Sequence, residues 1–143
     1  MININNALFT LNNYALRVIY MKNILTLTSI IESTTGITLL VLPSFLIKIL
    51  FSSTLDTPIT LIVARVAGAA IFALGIACWF ARNEGLNPAA RGLVIAMLLY
   101  NTVIALVLIY AALGLLLSGF GLWPVVLLHM TMSVWCIINL SKK

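Results

Sequence analysis

The sequence predicts an all-α polytopic membrane protein, a four-transmembrane-helix bundle with both termini cytoplasmic, and three observations carry that prediction. Charged residues are 8% of the 143-residue chain, where a soluble domain has roughly a quarter. Long apolar runs recur four times, and about 20 apolar residues suffice to cross the ~30 Å hydrocarbon core as a helix. Basic residues gather at alternate ends of those runs, the signature of a chain threading back and forth. Four crossings use nearly the whole length, so residues 23–143 form one membrane domain and leave no room for a soluble catalytic domain.

Residues 1–22 are an extension ahead of that domain. They are rich in Asn, and Leu8, Leu11, Ala15, Val18 and Ile19 share one helical face, so the expectation is a disordered segment or a short interfacial helix. Met21-Lys22-Asn23 directly precedes the first apolar run, which gives the chain two candidate starts, Met1 and Met21. The apolar run after Lys22 is too long for a signal peptide and lacks a small-residue cleavage site.

The first span is predicted from Ile24 to Leu46, with Pro43 near its far end and Lys48 marking the exit. A polar turn, Ser52 to Pro58, leads into the second span, Ile59 to Ala81, with proline suitably placed at its start. Arg82-Asn83-Glu84-Gly85-Leu86-Asn87-Pro88 returns the chain to water. The third span is predicted from Gly92 to Leu117, and only Ser118-Gly119-Phe120-Gly121 separates it from the fourth, Trp123 to Leu140, so the last two spans make an antiparallel hairpin. Small residues collect on the second span, at Ala64 and Gly68 and at Ala69, Ala73 and Ala77, where they permit close helix approach.

Arg17, Lys22, Arg82, Arg91, Lys142 and Lys143 fall on one side and Lys48 alone on the other, which places both termini in the cytoplasm and the protein in the inner, cytoplasmic membrane. Trp79, Trp123 and Tyr110 fall near the expected membrane surfaces, where amphipathic rings anchor a bundle. The net charge of +5 is spread between apolar runs and forms no basic stripe, so the partner is the lipid bilayer and no nucleic acid is expected. Cys78 and Cys136 lie inside apolar runs without metal-ligand or redox-motif spacing and read as small packing residues. No metal site or cofactor is expected, because His129 has no second His or Cys at ligand spacing and is a thin basis for haem. Signatures of hydrolases, metalloproteases and phosphate-binding loops are missing, which makes an enzyme the least supported class.

The informative residues are those that hydrocarbon excludes, since a centred charge costs at least about 2.5–3.5 kcal/mol. Two charges stand inside predicted spans, Glu32 and Arg65. Counted from the span boundaries, Glu32 lies roughly 12 Å from the inner edge and Arg65 roughly 10 Å from the outer edge, about 8 Å apart in level. A buried Glu32–Arg65 ion pair is therefore geometrically open if both side chains face the interior, and with Asn101 and His129 each span contributes one strongly polar group to a candidate intramembrane cluster. Tyr100 and Thr35, with Ser33, Thr34, Thr102 and Thr131, are in place to add hydrogen bonds worth about 0.6 kcal/mol each. Such a cluster has two readings: a network that locks the helices in register, or a site for a proton, ion or polar ligand.

Several short motifs carry a resemblance: Glu32-x-x-x-Gly36 before Pro43, Arg65-Val66-Ala67-Gly68, Cys78-Trp79, Ala90-Arg91-Gly92-Leu93, Tyr100-Asn101, Trp123-Pro124 and His129. Over residues 23–140 the chain resembles a group of small uncharacterised bacterial four-helix membrane proteins and is similar in size and topology to DoxX-like proteins. That resemblance implies the four-helix architecture and an association with quinone or sulfur redox partners. Small multidrug transporters share the four helices and a Glu in the first span, but this chain has longer spans, an intramembrane Arg65 and no counterpart of their aromatic cage.

The expected function is that of an accessory or structural subunit of a membrane assembly or homo-oligomer. The alternatives are a proton-coupled carrier or ligand-binding membrane protein using Glu32, Arg65, Asn101 and His129, and a redox-associated protein of DoxX-like type.

Overall fold

Proline punctuates this chain. The computed structural model describes residues 4–141, which form α1 (Ile4–Val41), α2 (Pro43–Phe51), α3 (Pro58–Ala81), α4 (Pro88–Leu113) and α5 (Leu122–Ser141). Three of these helices begin on a proline, whose missing N–H falls where no intrahelical acceptor exists. Two also have side-chain caps. Thr57 and Thr60 bond each other's backbone N–H reciprocally at the start of α3, and the Ala90 N–H donates to Asn87 Oδ1 at 2.7 Å at the start of α4. Residues 1–3 and the Lys142-Lys143 pair, which the charge bias counts, lie outside the described residues.

α1, α3, α4 and α5 are each long and apolar enough to cross a membrane, so this is a small protein with four candidate spans. α3 and α5 begin and end within one residue of the predicted second and fourth spans. The third span is shifted: α4 starts at Pro88 and stops at Leu113, four residues earlier than predicted at each end, because the Asn87 cap and Pro88 set its first turn.

The first span departs further from expectation. It does not run to Leu46, because Pro43 has no N–H to continue the ladder and its ring crowds the carbonyl four residues back. The helix therefore breaks at Leu42, and α2 restarts at Pro43 in a new direction. At the other end, residues 4–22 are helical and run without a break into the rest of α1. At 38 residues α1 is about 57 Å long, nearly twice the hydrocarbon thickness. Its first turns expose Leu8, Phe9, Leu11 and Tyr14, and burial begins at Met21, Ile24 and Leu25.

Two antiparallel pairs make up the bundle, α1 with α3 and α4 with α5, and they meet through α1–α5 and α3–α4 contacts. The α1–α3 crossing is very close. A Cβ on Gly36 would fall 2.7 Å from Phe72 Cα, one on Gly68 would fall 2.8 Å from the Leu40 N, and one on Gly75 would fall 2.7 Å from the Ser33 N. Backbone cannot yield to a methyl group, so glycine at these three positions sets the helix separation. Ala69, Ala73 and Ala77 are exposed on the opposite side of α3 and take no part in the crossing.

Apolar packing forms two clusters. One, at the end that carries Arg82 and Arg91, contains Met21, Leu25, Cys78, Val94, Met97, Met132 and Cys136. The other, at the end that carries Lys48, contains Leu108, Leu122 and Val126 with Phe51 against them. Both cysteines are buried and unbridged.

Candidate functional site

Between the two apolar clusters lies a polar layer, built from the inward faces of three helices. Thr28, Glu32 and Thr35 follow the i, i+4, i+7 spacing that stacks side chains on one face of α1. Glu32 is only 4% exposed. Opposite stand Tyr100 and Asn101 from α4 and His129 from α5, where Tyr100 is twelve residues, or about 18 Å, from Pro88 at the start of α4 and His129 the same distance from Ser141 at the end of α5.

The contacts are specific. Tyr100 Oη donates to Glu32 Oε2 at 3.2 Å. The Tyr100 and His129 rings meet edge to face, centroids 5.9 Å apart at 72°. Asn101 Nδ2 donates to the Met97 carbonyl at 2.7 Å, and Asn101 Oδ1 lies 2.8 Å from His129 Nδ1. The first of these bonds decides the second: with the amide nitrogen committed to a carbonyl, the amide oxygen faces the imidazole and can only accept. His129 Nδ1 therefore carries a proton, and in the neutral ring Nε2 keeps a free lone pair.

These groups enclose a cavity of about 100 Å³. Its polar lining is Glu32, Thr35, Tyr100 and His129; Leu46 and Leu50 of α2 and Val125 and Leu128 of α5 supply apolar walls. The break at Leu42 is what turns α2 across the cavity, and α2 is tied to the α4–α5 connection by the Gly121 N–H donating to the Ile49 carbonyl at 3.0 Å.

No family model, curated protein or solved structure matches the chain.

Arg65 does not join this layer, which corrects its place in the candidate cluster, and the Glu32–Arg65 pair that the depth count left open is not formed. The glycine contacts fix one antiparallel register, Gly36 against Phe72 and Gly68 against Leu40, which puts Glu32 level with Ile76 of α3. Arg65 is eleven residues away along that helix, about 16 Å. It is also exposed on the outside of the bundle, and among the described residues it makes no hydrogen bond or ion pair. The depth estimate failed because α1 is displaced along its axis relative to the predicted first span, and because depth carries no information on which way a side chain faces. Tyr100, Thr35 and His129, by contrast, share the cavity with Glu32, and Asn101 stands behind them on His129.

Trp79, Trp123 and Tyr110 are exposed near helix ends. Arg82 stacks on Trp79, its guanidinium carbon 3.1 Å from the ring centroid, and donates to the Trp79 carbonyl at 2.7 Å. Among the described residues no group of three or more His, Cys, Asp or Glu stands together to hold a metal ion.

Sequence reasoning missed Thr28, although its place one turn before Glu32 on the same face was a usable signal. Thr26, Thr34 and Thr38 each donate their hydroxyl to the carbonyl four residues back, at 2.7–2.8 Å. Thr28 Oγ1 is buried with no hydrogen-bond partner among the described residues. An orphan buried hydroxyl costs about 1–3 kcal/mol, so Thr28→Val is expected to raise the melting temperature of the purified protein, with a gain of about 1 kcal/mol. A lower melting temperature would show that the hydroxyl is satisfied.

Proposed function

We propose that the chain is a small membrane carrier that binds a proton or a small polar ligand in the cavity formed by Glu32, Thr35, Tyr100 and His129. The observation that carries this reading is the enclosure of an ionisable carboxyl and an imidazole in an open volume between two apolar clusters, with no Lys or Arg beside them. A purely structural network would be expected to fill its space and neutralise its charge. Here the polar groups line a space with an apolar cluster of the bundle on either side of it, the arrangement from which a site within a membrane protein can be built. Both termini are taken to be cytoplasmic and the membrane to be the inner one, on the strength of the basic-residue bias. DoxX-like membership, with the redox association that it implies, stays a proposal resting on the short motifs, as no redox group is needed by the carrier reading.

A second reading, that of an accessory subunit in a homo-oligomer or larger complex, is favoured by two observations. Arg65 projects from the bundle without a partner among the described residues, and the first turns of α1 expose Leu8, Phe9, Leu11 and Tyr14. The two readings are compatible, since a carrier can also assemble.

A carrier must open its cavity; a scaffold need not. Thr35→Cys places a thiol in the cavity wall, while the native Cys78 and Cys136 are buried in packed apolar surroundings. In liposomes, the variant is expected to react within minutes with a small methanethiosulfonate reagent added to either face, and the wild type is expected to stay unmodified. A variant thiol that stays unreactive from both faces would sink the carrier reading.

A further inference from the structure

We infer that the ligand of this cavity is a primary ammonium cation, an alkylammonium of one or two carbon atoms. The inference rests on the carrier reading and adds to it the chemical class of what is carried.

Charge is the first argument. Glu32 is the one acidic residue within the four spans, the other two being Asp56 and Glu84 in the connections. Arg65 points away, Lys48 is exposed on α2, and the groups facing Glu32 from the packed helices are Tyr100, His129 and the buried Cys78, none of them a fixed cation. The protein thus supplies a carboxyl and leaves its positive partner to the ligand. A small anion would meet only repulsion there.

Hydrogen bonding is the second. Tyr100 spends its O–H on Glu32, and His129 spends its N–H on Asn101. What remains toward the cavity is a set of acceptors: the Glu32 carboxylate, His129 Nε2, and the Thr35 hydroxyl, which makes no hydrogen bond among the described residues. Three acceptors from two helices suit the three N–H donors of a primary ammonium head, and a quaternary ammonium has none to offer. One carboxylate and one imidazole are too few to strip the water from a divalent metal ion.

Size is the third. The volume of about 100 Å³ is smaller than the ~150 Å³ cavity that accommodates benzene, and far below a drug-sized cleft of roughly 300 Å³ or more. Leu46, Leu50, Val125 and Leu128 leave an apolar wall for a methyl or ethyl group and nothing for a larger one.

The chain contains a single histidine, so ¹⁵N-histidine labelling reports His129 alone. In detergent-solubilised full-length protein the spectrum is expected to show Nδ1 protonated and Nε2 bare. Methylammonium chloride should shift the Nε2 signal saturably, and Thr35→Val should weaken that response about tenfold, the loss of one hydrogen bond to a charged group. Tetramethylammonium, urea and sodium acetate should leave it unchanged. Saturation by urea or acetate instead, or an Nε2-protonated ring, overturns the ammonium assignment while the cavity remains a ligand site. Silence toward all four probes overturns the inference as well, and the carrier reading is then decided separately by the Thr35→Cys labelling.

Discussion

Leucine at Gly36 is expected to abolish the folded bundle, and alanine there to cost about 2 kcal/mol. A Cβ at this position meets the Phe72 backbone N at 2.5 Å and its Cα at 2.7 Å, so α1 and α3 must separate to admit even a methyl group. Overpacking of this kind costs about 1–3 kcal/mol where side chains can shift, and here the obstacle is main chain. Separation would also pull Gly68 off Leu40 and Gly75 off Ser33, since all three lie in one register. The check is size-exclusion chromatography and thermal melting of detergent-solubilised Gly36→Ala and Gly36→Leu. Gly92→Ala is the control: a Cβ there has nothing within 4 Å, and alanine's better helix propensity should stabilise by up to about 1 kcal/mol. A wild-type melt for Gly36→Leu would mean that the two helices are not this close.

Glutamine at Glu32 should do the opposite, sparing the fold and removing the function. Gln has the shape of Glu and keeps an oxygen to accept the Tyr100 hydroxyl, so the melting temperature should change by the equivalent of no more than about 1 kcal/mol. What it cannot keep is the negative charge. Losing one member of a buried, hydrogen-bonded charge pair costs about 2–5 kcal/mol, so the methylammonium response of His129 should weaken at least about 30-fold. A subunit role predicts the reverse pattern, with expression and assembly falling. Melting temperature and ligand titration on one preparation of Glu32→Gln separate the two.

Much of the architecture was legible in the sequence because its signals are strong and local. Pro58 and Asp56 bracket the start of α3, Arg82 its end, and both boundaries follow from the cost of burying a charge or a helix-breaking residue. The inward set of Glu32, Tyr100, Asn101 and His129 was legible for the same reason: polar groups in hydrocarbon turn toward one another. Arg65 was misplaced because the cost of a buried charge has a second solution, in which a long side chain lies on the outside of the bundle instead of turning inward. Choosing between the two solutions needs the rotation of α3, which Gly68 and Gly75 fix by contact with α1 and which no depth count contains. The break at Leu42 was half legible. Pro43 marked the place, but whether the chain would stop, kink or start a new helix depended on the distant Gly121, whose N–H holds α2 through Ile49.

The length of α1 gives the molecule a lever. Gly36, wedged against Phe72, is the tightest point along this rigid rod and the natural fulcrum. Glu32 lies about 6 Å from it and Leu8 about 42 Å. A rocking of a few degrees that shifts the carboxylate by half an ångström therefore sweeps Leu8 through some seven times that distance, about 3–4 Å. Conversely, anything that grips the projecting end of α1 has a sevenfold mechanical advantage over the geometry around Glu32.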